Sequence, residues 1–298
     1  MNARYRPCGW TVGLLGAGVM AREIAPHLRA AGCRLRWYNR TADRLQATGD
    51  DVVCTSPAVA ASGADAVLSL VADDRAAEAV WDGAQGAIST LAPGALAVEC
   101  STLTPARVEQ WAQSCASAGG RAVDCSLTGG RDRARDGTLI GLAGGAAADL
   151  AALDPLLSAF TDHVIAFGPV GYGTRYKLAH NLAAAVTLAG VAEALALAEA
   201  AGLDLHQAAE AMSAFGWAAP AAQYAAPQLL NGNFTDVHCS AANLGKDLLY
   251  ALATATRTGL RLPLAEAAHH QFAAVHDPAA MDMSAVTRTY TATPPEVP

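Results

Sequence analysis

The sequence has little charge and few aromatic rings. Asp, Glu, Lys and Arg make up 16% of its 298 residues and Phe, Trp and Tyr 6%, against 52% hydrophobic residues. There is no run of basic residues, and the net charge of −7 disfavours a phosphate backbone or an anionic membrane surface. Nucleic acid and membrane are therefore not expected as partners. No apolar segment is free of polar residues for the ~20 positions a membrane span needs; the nearest, around 174–201, contains Glu193 and Glu199. Between Met1 and Cys8 there is no apolar stretch of the kind a signal peptide requires. The seven cysteines (Cys8, Cys33, Cys54, Cys100, Cys115, Cys125 and Cys239) are odd in number and show no Cys-x-x-Cys spacing, so free thiols in a reducing cytoplasm are expected. No His-Glu-x-x-His set occurs, and His269-His270 with His276 reads as an exposed helix face rather than a metal site. What remains is a packed globular chain, long enough for two domains.

The first part alternates short apolar runs with helical stretches. Trp10 to Leu15 ends in Gly16-Ala17-Gly18-Val19-Met20-Ala21, followed by an amphipathic stretch that stops at Gly32. Strand, glycine turn and helix give Gly-x-Gly-x-x-Gly/Ala its meaning: Gly16 permits the tight turn, Gly18 the approach of a pyrophosphate, and Ala21 close packing on the strand. The helix N-terminus then offers N–H groups to phosphate. The next strand, Leu35 to Tyr38, ends in Asn39-Arg40-Thr41. An NAD site carries an acid about 20 residues past the glycines. Here Arg40 stands there, with Arg44 one helical turn on, and a guanidinium fork suits a 2′-phosphate. This reading expects NADP; the plainer alternative is an arginine that caps a solvated turn.

Further buried strands fit Ala66 to Val71, Ala95 to Glu99, Arg121 to Cys125, Leu139 to Ala143 and Val164 to Phe167. Ligands of doubly wound sheets lie beyond the carboxyl ends of strands, which makes Ala72-Asp73-Asp74-Arg75, Ser101-Thr102 and Ser126-Leu-Thr128-Gly129-Gly130 site candidates. Thr104, before Pro105, reads as a helix cap. The paired glycines expose bare N–H groups suited to a carboxylate.

Gly171-x-Gly173 opens a stretch without Pro and, apart from Gly190, without Gly as far as Ala201, predicting one helix on the order of 40 Å long. Lys177 and Asn181 are four apart on it and share a face. An ammonium beside an amide suits a site that moves a proton and holds a hydroxyl or carbonyl. The helix is apolar nearly all round, so it is expected to be buried, in part against a second subunit. Beyond it, Ala- and Leu-rich helices are separated by Gly202, Pro220, Pro227, Gly232 and Pro263, and Thr291 to Pro298 reads as a loose tail. The expected architecture is α/β: an N-terminal Rossmann domain with a doubly wound parallel sheet over 1–170, joined by the long helix to an all-helical domain over 171–298.

Taken in order, these pieces resemble the β-hydroxyacid dehydrogenase family, which includes 3-hydroxyisobutyrate dehydrogenases and tartronate or glyoxylate/succinic semialdehyde reductases. The motifs are Gly16-Ala-Gly18-Val-Met20, Asn39-Arg40-Thr41, Ser101-Thr102 with Pro105, and Asp124-Cys-Ser-Leu-Thr-Gly-Gly130 with Ala134 and Gly137-Thr-Leu139. Gly171-x-Gly173 with Lys177 and Asn181, and Lys246-Asp247-Leu248, complete the set. The resemblance implies Lys177 as catalytic acid/base and Asn181 as anchor of the substrate hydroxyl. Thr128, Gly129 and Gly130 would bind the substrate carboxylate, with Ser101 or Thr102 nearby. Gly16 to Met20, Asn39, Arg40, Thr41, Val71, Ala72 and Thr102 would contact the cofactor, while Lys246 and Asp247 close over nicotinamide and substrate. It further implies a small carboxylate or carbonyl substrate; the apolar long helix, for its part, leads to the expectation of a homodimer, with a tetramer as the alternative.

Three departures bear on the substrate. The family loop D-A-P-V-S-G-G has Cys125, Ser126 and Thr128 in place of its Ala, Pro and Ser. Cys239 stands where a Phe is common, and Arg133 where a Gly precedes Ala134. The expected chemistry is reversible hydride transfer between NADP and a small 3-hydroxy acid or semialdehyde. The alternatives are an imine reductase, against which Lys177 argues, and a non-catalytic NADP-binding module.

Overall fold

The computed structural model describes residues 9–45 and 47–290, with the side chain of Arg44 excepted. Two compact units divide the chain at Lys177/Leu178.

The first unit follows the alternation read from the sequence: β1 (Thr11–Leu15), α1 (Val19–Ala30), β2 (Arg34–Tyr38), β3 (Val52–Val53), α2 (Pro57–Ala61), β4 (Ala66–Ser69) and α3 (Asp74–Trp81). It continues with β5 (Leu96–Glu99), α4 (Pro105–Ser117), β6 (Arg121–Thr128), α5 (Gly130–Arg135), β7 (Leu139–Gly144), α6 (Ala147–Leu157) and β8 (Thr161–Ala166). The eight strands form one sheet in the order β3-β2-β1-β4-β5-β6-β7-β8. The order reverses between β1 and β4, the point at which doubly wound folds bind ligands. The sheet is parallel except where β7 runs antiparallel to β6, because only the six-residue α5 and a glycine turn separate these strands, too little for a crossover. The strand Val52–Val53 has no counterpart in the sequence reading, since two residues carry no periodicity.

Side chains alternate across the sheet. Val12, Leu14, Leu35, Trp37, Leu68 and Val98 pack with Ile24 and Leu28 of α1 and Leu153, Leu156 and Leu157 of α6. Leu15, Val67 and Ala97 face the opposite way, toward α2, α3 and α4, where Trp81 and Trp111 are fully buried. Each such large apolar side chain contributes roughly 1.5–3 kcal/mol. This two-sided packing fixes the sheet, and with it the strand ends that build the site.

Helix α7 (Tyr172–Ala200) runs on from the first unit into the second. The second unit adds α8 (Leu205–Phe215), α9 (Ala219–Asn231), α10 (Ala241–Arg257) and α11 (Pro263–Ala273), and ends in a 3₁₀ turn over Met283–Thr289. Its core gathers Leu188, Val191, Leu195, Leu244, Leu248, Phe272 and Val286. Within one chain α7 is covered on one side only. Leu188, Val191, Ala192 and Leu195 are buried, while Ala183, Thr187 and Gly190 are open and Leu197 is 70% exposed. An 18-residue window of α7 reaches a mean hydropathy of 1.7. A membrane span has that composition, and so does the core helix of a globular protein.

The expectation of free thiols is corrected at one position. Cys54, Cys100, Cys115, Cys125 and Cys239 are free, but Cys33 is disulfide-bonded. The absence of Cys-x-x-Cys spacing gave no sign of that bond, and the inference of a reducing compartment loses that support.

Candidate active site

The glycine turn after β1 is gripped by the end of β2. The Gly16 N–H donates to the Tyr38 carbonyl at 2.9 Å, and the Trp37 indole N–H donates to the Gly16 carbonyl at 2.7 Å. Asn39 Oδ1 accepts from the Ala17 N–H at 3.1 Å while its Nδ2 donates to the Thr41 carbonyl at 2.7 Å. Gly16 has φ +107°, and a side chain there would run into the Leu70 carbonyl, so only glycine fits. Gly18 precedes α1 without a side-chain cap, no acid occupies the first helical turn, and a Cβ on Gly18 would meet nothing within 4 Å. Open space in front of uncapped helix N–H groups is what a pyrophosphate requires. Arg40 is exposed, with no ion pair among the described residues. The side chain of Arg44, the second expected cation, lies outside the described residues.

The ends of β4 and β5 are tied together. The Val71 N–H donates to Ser101 Oγ at 2.8 Å, and the Ser101 N–H donates to Glu99 Oε1 at 2.8 Å. Glu99 also accepts from the Trp81 indole at 2.7 Å; burial pushes its carboxyl above the ordinary range, with those hydrogen bonds opposing. Ser101 is thus a buried strut, committed to protein partners, while Thr102 beside it and Ala72 across from it are more open. Thr104 caps α4, as expected, by accepting from the Arg107 N–H, and its own hydroxyl donates to Asp74 at 2.6 Å.

Strand β6 ends at Thr128, followed by Gly129 at φ +124° and Gly130 at φ +72°. Thr128 is half-buried and both glycines are exposed. Arg133, the departure from the family pattern, lays its stem over Gly129, where an added Cβ would come within 2.6 Å of Arg133 Cδ. Arg131 pairs with Glu23 at 3.0 Å.

Lys177 is 8% exposed, and its ammonium donates to the carbonyl of Leu127 at 2.8 Å. The amine therefore sits one residue from Thr128. The start of α7 is held by Asp124, whose carboxylate accepts from the N–H groups of Gly171 (2.6 Å) and Thr174 (2.7 Å). Asp124 stands in the sequence only as part of a motif, with no role read for it; the available signal was a carboxylate inside the apolar run of β6, whose residues Val123 to Leu127 are buried.

In the second unit Asn181, one helical turn beyond Lys177, donates from Nδ2 to Asp247 Oδ2 at 2.5 Å. Lys246 Nζ lies 3.0 Å from Asp247 Oδ1, an ion pair without hydrogen-bond angles, and 4.8 Å from the Tyr250 ring centroid. Cys239 is half-buried, and its N–H donates to Asp282, as do that of His238 and the Tyr224 hydroxyl. Burial and the Asp282 charge hold that phenol protonated.

Known proteins resemble the chain over nearly its whole length. Residues 11–168 match the NAD binding domain of 6-phosphogluconate dehydrogenase, and 171–290 match the NAD-binding domain of NADP-dependent 3-hydroxyisobutyrate dehydrogenase. The chain is 31% identical to L-threonate dehydrogenase of Cupriavidus necator, over 88% of its own length and 89% of that protein. It is 32% identical to NAD-dependent L-serine dehydrogenase of Pseudomonas aeruginosa, over 67% and 68%. Among solved structures, 3-hydroxyisobutyrate dehydrogenase of Mycobacterium tuberculosis with L-serine superposes with a TM-score of 0.80 at 26% identity, covering 95% of this chain and 99% of that one. The chain belongs to the β-hydroxyacid dehydrogenase family and is a hydroxyacid dehydrogenase that uses a nicotinamide dinucleotide.

Proposed function

We propose that the protein transfers hydride between NADP(H) and a small 3-hydroxy acid or its semialdehyde, with Lys177 as general acid/base. The observation that carries this reading is the buried Lys177 amine, hydrogen-bonded to Leu127 one residue before the Thr128-Gly129-Gly130 turn. A carboxylate held by that turn leaves its neighbouring carbons near the amine. In reduction Lys177 gives a proton to the developing alkoxide and Asn181, on the same face of α7, fixes that oxygen; general acid/base help of this kind is worth ~10²–10⁴ in rate. The bound dinucleotide supplies or accepts the hydride at its nicotinamide.

The remaining assignments follow the same reading. Gly16, Ala17, Gly18, Val19 and Met20 cradle the pyrophosphate, and Asn39, Arg40 and Thr41 read the 2′-phosphate. Val71, Ala72 and Thr102 line the nicotinamide side, with Ser101 holding that side in place. Lys246 and Asp247 close over cofactor and substrate. The exposed Arg40, without an ion pair among the described residues, supports NADP, because a guanidinium fork suits a 2′-phosphate. Residues 1–170 hold the cofactor, and 171–298 complete the substrate site and carry a homodimer contact. The open stripe Ala183, Thr187, Gly190 and Leu197, with the exposed Phe215 and Trp217, supports that contact.

The test is a panel of 3-hydroxy acids and semialdehydes, with one cyclic imine, each assayed with NAD and NADP. The reading expects turnover of a hydroxy acid or semialdehyde with NADP preferred. Turnover of the imine alone, or an NAD preference, contradicts it.

A further inference from the structure

Strand β6 holds α7 at two places. Asp124, without solvent exposure, accepts from the N–H groups of Gly171 and Thr174 at 2.6 and 2.7 Å. Three residues along the same strand, the Leu127 carbonyl takes the Lys177 ammonium at 2.8 Å. The next residue, Thr128, opens the glycine turn. At about 3.3 Å per residue, helix clamp, amine seat and turn fall within about 13 Å of one strand.

The carboxylate has little room to move. A Cβ on Gly144 would stand 2.5 Å from Asp124 Oδ1 and 2.9 Å from the Tyr172 nitrogen, and one on Gly173 would stand 2.9 Å from Ala143 Cα. Asp124 also suits its place electrostatically, as an acid at the positive end of a 29-residue helix. Without a cap the first helical turn frays, and Lys177 lies within the second turn.

We propose that Asp124 is a positioning residue for proton transfer: by fixing the N-terminus of α7 it keeps the Lys177 amine seated on the Leu127 carbonyl, beside the substrate turn. This rests on the reading of Lys177 as acid/base. A structural cap elsewhere in the same unit provides the contrast: Ser56 accepts from the Val59 N–H and starts α2, remote from the chemistry.

The experiment measures kcat, KM, the pH profile of kcat, NADPH affinity and melting temperature for Asp124→Asn, Asp124→Ser, Ser56→Ala and Lys177→Ala. The expected result is a fall in kcat of at least tenfold for the Asp124 variants, with the pH of half-maximal kcat displaced and NADPH affinity within about twofold of native. Ser56→Ala lowers the melting temperature and leaves kcat and its pH profile alone. Asp124→Ser, which keeps one acceptor, decides the matter if Asp124→Asn does not fold. Native kcat and pH profile in the Asp124 variants overturn the proposal. So does loss of NADPH binding in both, since the residue then serves the unit as a whole. Near-native turnover in Lys177→Ala removes the acid/base reading itself; inactive Lys177→Ala beside native Asp124→Asn removes only the positioning role.

Discussion

Asn181 and Asp247 share a 2.5 Å hydrogen bond in which the amide nitrogen donates to a carboxylate that is almost fully buried. A carboxylate only accepts, so the bond fixes the amide flip and turns Asn181 Oδ1 away from Asp247. Under the proposed reaction, the amide so held would offer Oδ1 to a substrate hydroxyl or its second N–H to the carbonyl or alkoxide oxygen. Replacing Asp247 by Ala frees the amide and leaves Lys246 without its 3.0 Å partner. Hydrogen bonds to charged groups are worth ~1.5–3 kcal/mol, so kcat/KM should fall by about one to two orders of magnitude in steady-state assays. An unchanged kcat/KM would separate this pair from the reaction.

Arg40 provides a test of cofactor choice. Removing its guanidinium should weaken NADPH by roughly tenfold or more, the range of a charge-assisted hydrogen bond. NADH, which has no 2′-phosphate, should be affected little. Fluorescence titration of Arg40→Ala with both cofactors checks this, and equal losses for the two would mean that the arginine only shapes the turn.

Glu99 and Asp124 give stability a definite pH trend. Burial is the largest influence on both and raises them above their ordinary values of 4.5 and 3.8. An acid raised in the folded state binds its proton more tightly there than in the unfolded chain, so stability falls as pH climbs. The contribution is complete below the ordinary value and disappears as pH rises through the folded one. Glu99→Gln, which does not titrate, should therefore compare worst with the native protein near pH 4 and progressively better toward pH 8. Urea midpoints across that range measure the difference, and a native advantage that grows with pH contradicts it.

The thiols divide by environment. Burial pushes Cys115 and Cys125 up to about 12 and Cys100 well above its ordinary value, with neighbouring acids adding to the effect. Cys239 is the one half-buried free thiol among the described residues. A maleimide at pH 8 should label Cys239 ahead of these three. Bound cofactor with a hydroxy acid should slow that labelling if the Cys239 position walls the substrate, as the resemblance implies. Peptide mapping after a timed pulse provides the readout.

The glycine turn, Arg40, the long helix and Lys177 with Asn181 are legible in the sequence because each depends on local geometry. A positive φ, a helix start and an i,i+4 pair are all written within a few neighbouring residues. Asp124 and Glu99 are not legible as working residues. Their partners, Gly171 and Thr174 for one and Trp81 for the other, lie 18 to 50 positions away and meet them only through the sheet. Ser101 follows the end of β5, and its hydroxyl is engaged by Val71, a partner 30 positions away that sequence spacing does not show. Which side of α7 its own chain covers is not legible, because composition registers how apolar a helix is and not where its neighbours lie.

The account depends most on the amine at position 177, and the direct test is turnover of Lys177→Ala alongside its NADPH affinity. The expected result is a loss of at least ~10² in kcat, the usual scale of general acid/base help, with cofactor binding close to native. A folded, NADPH-binding variant that turns over at the native rate would contradict the account.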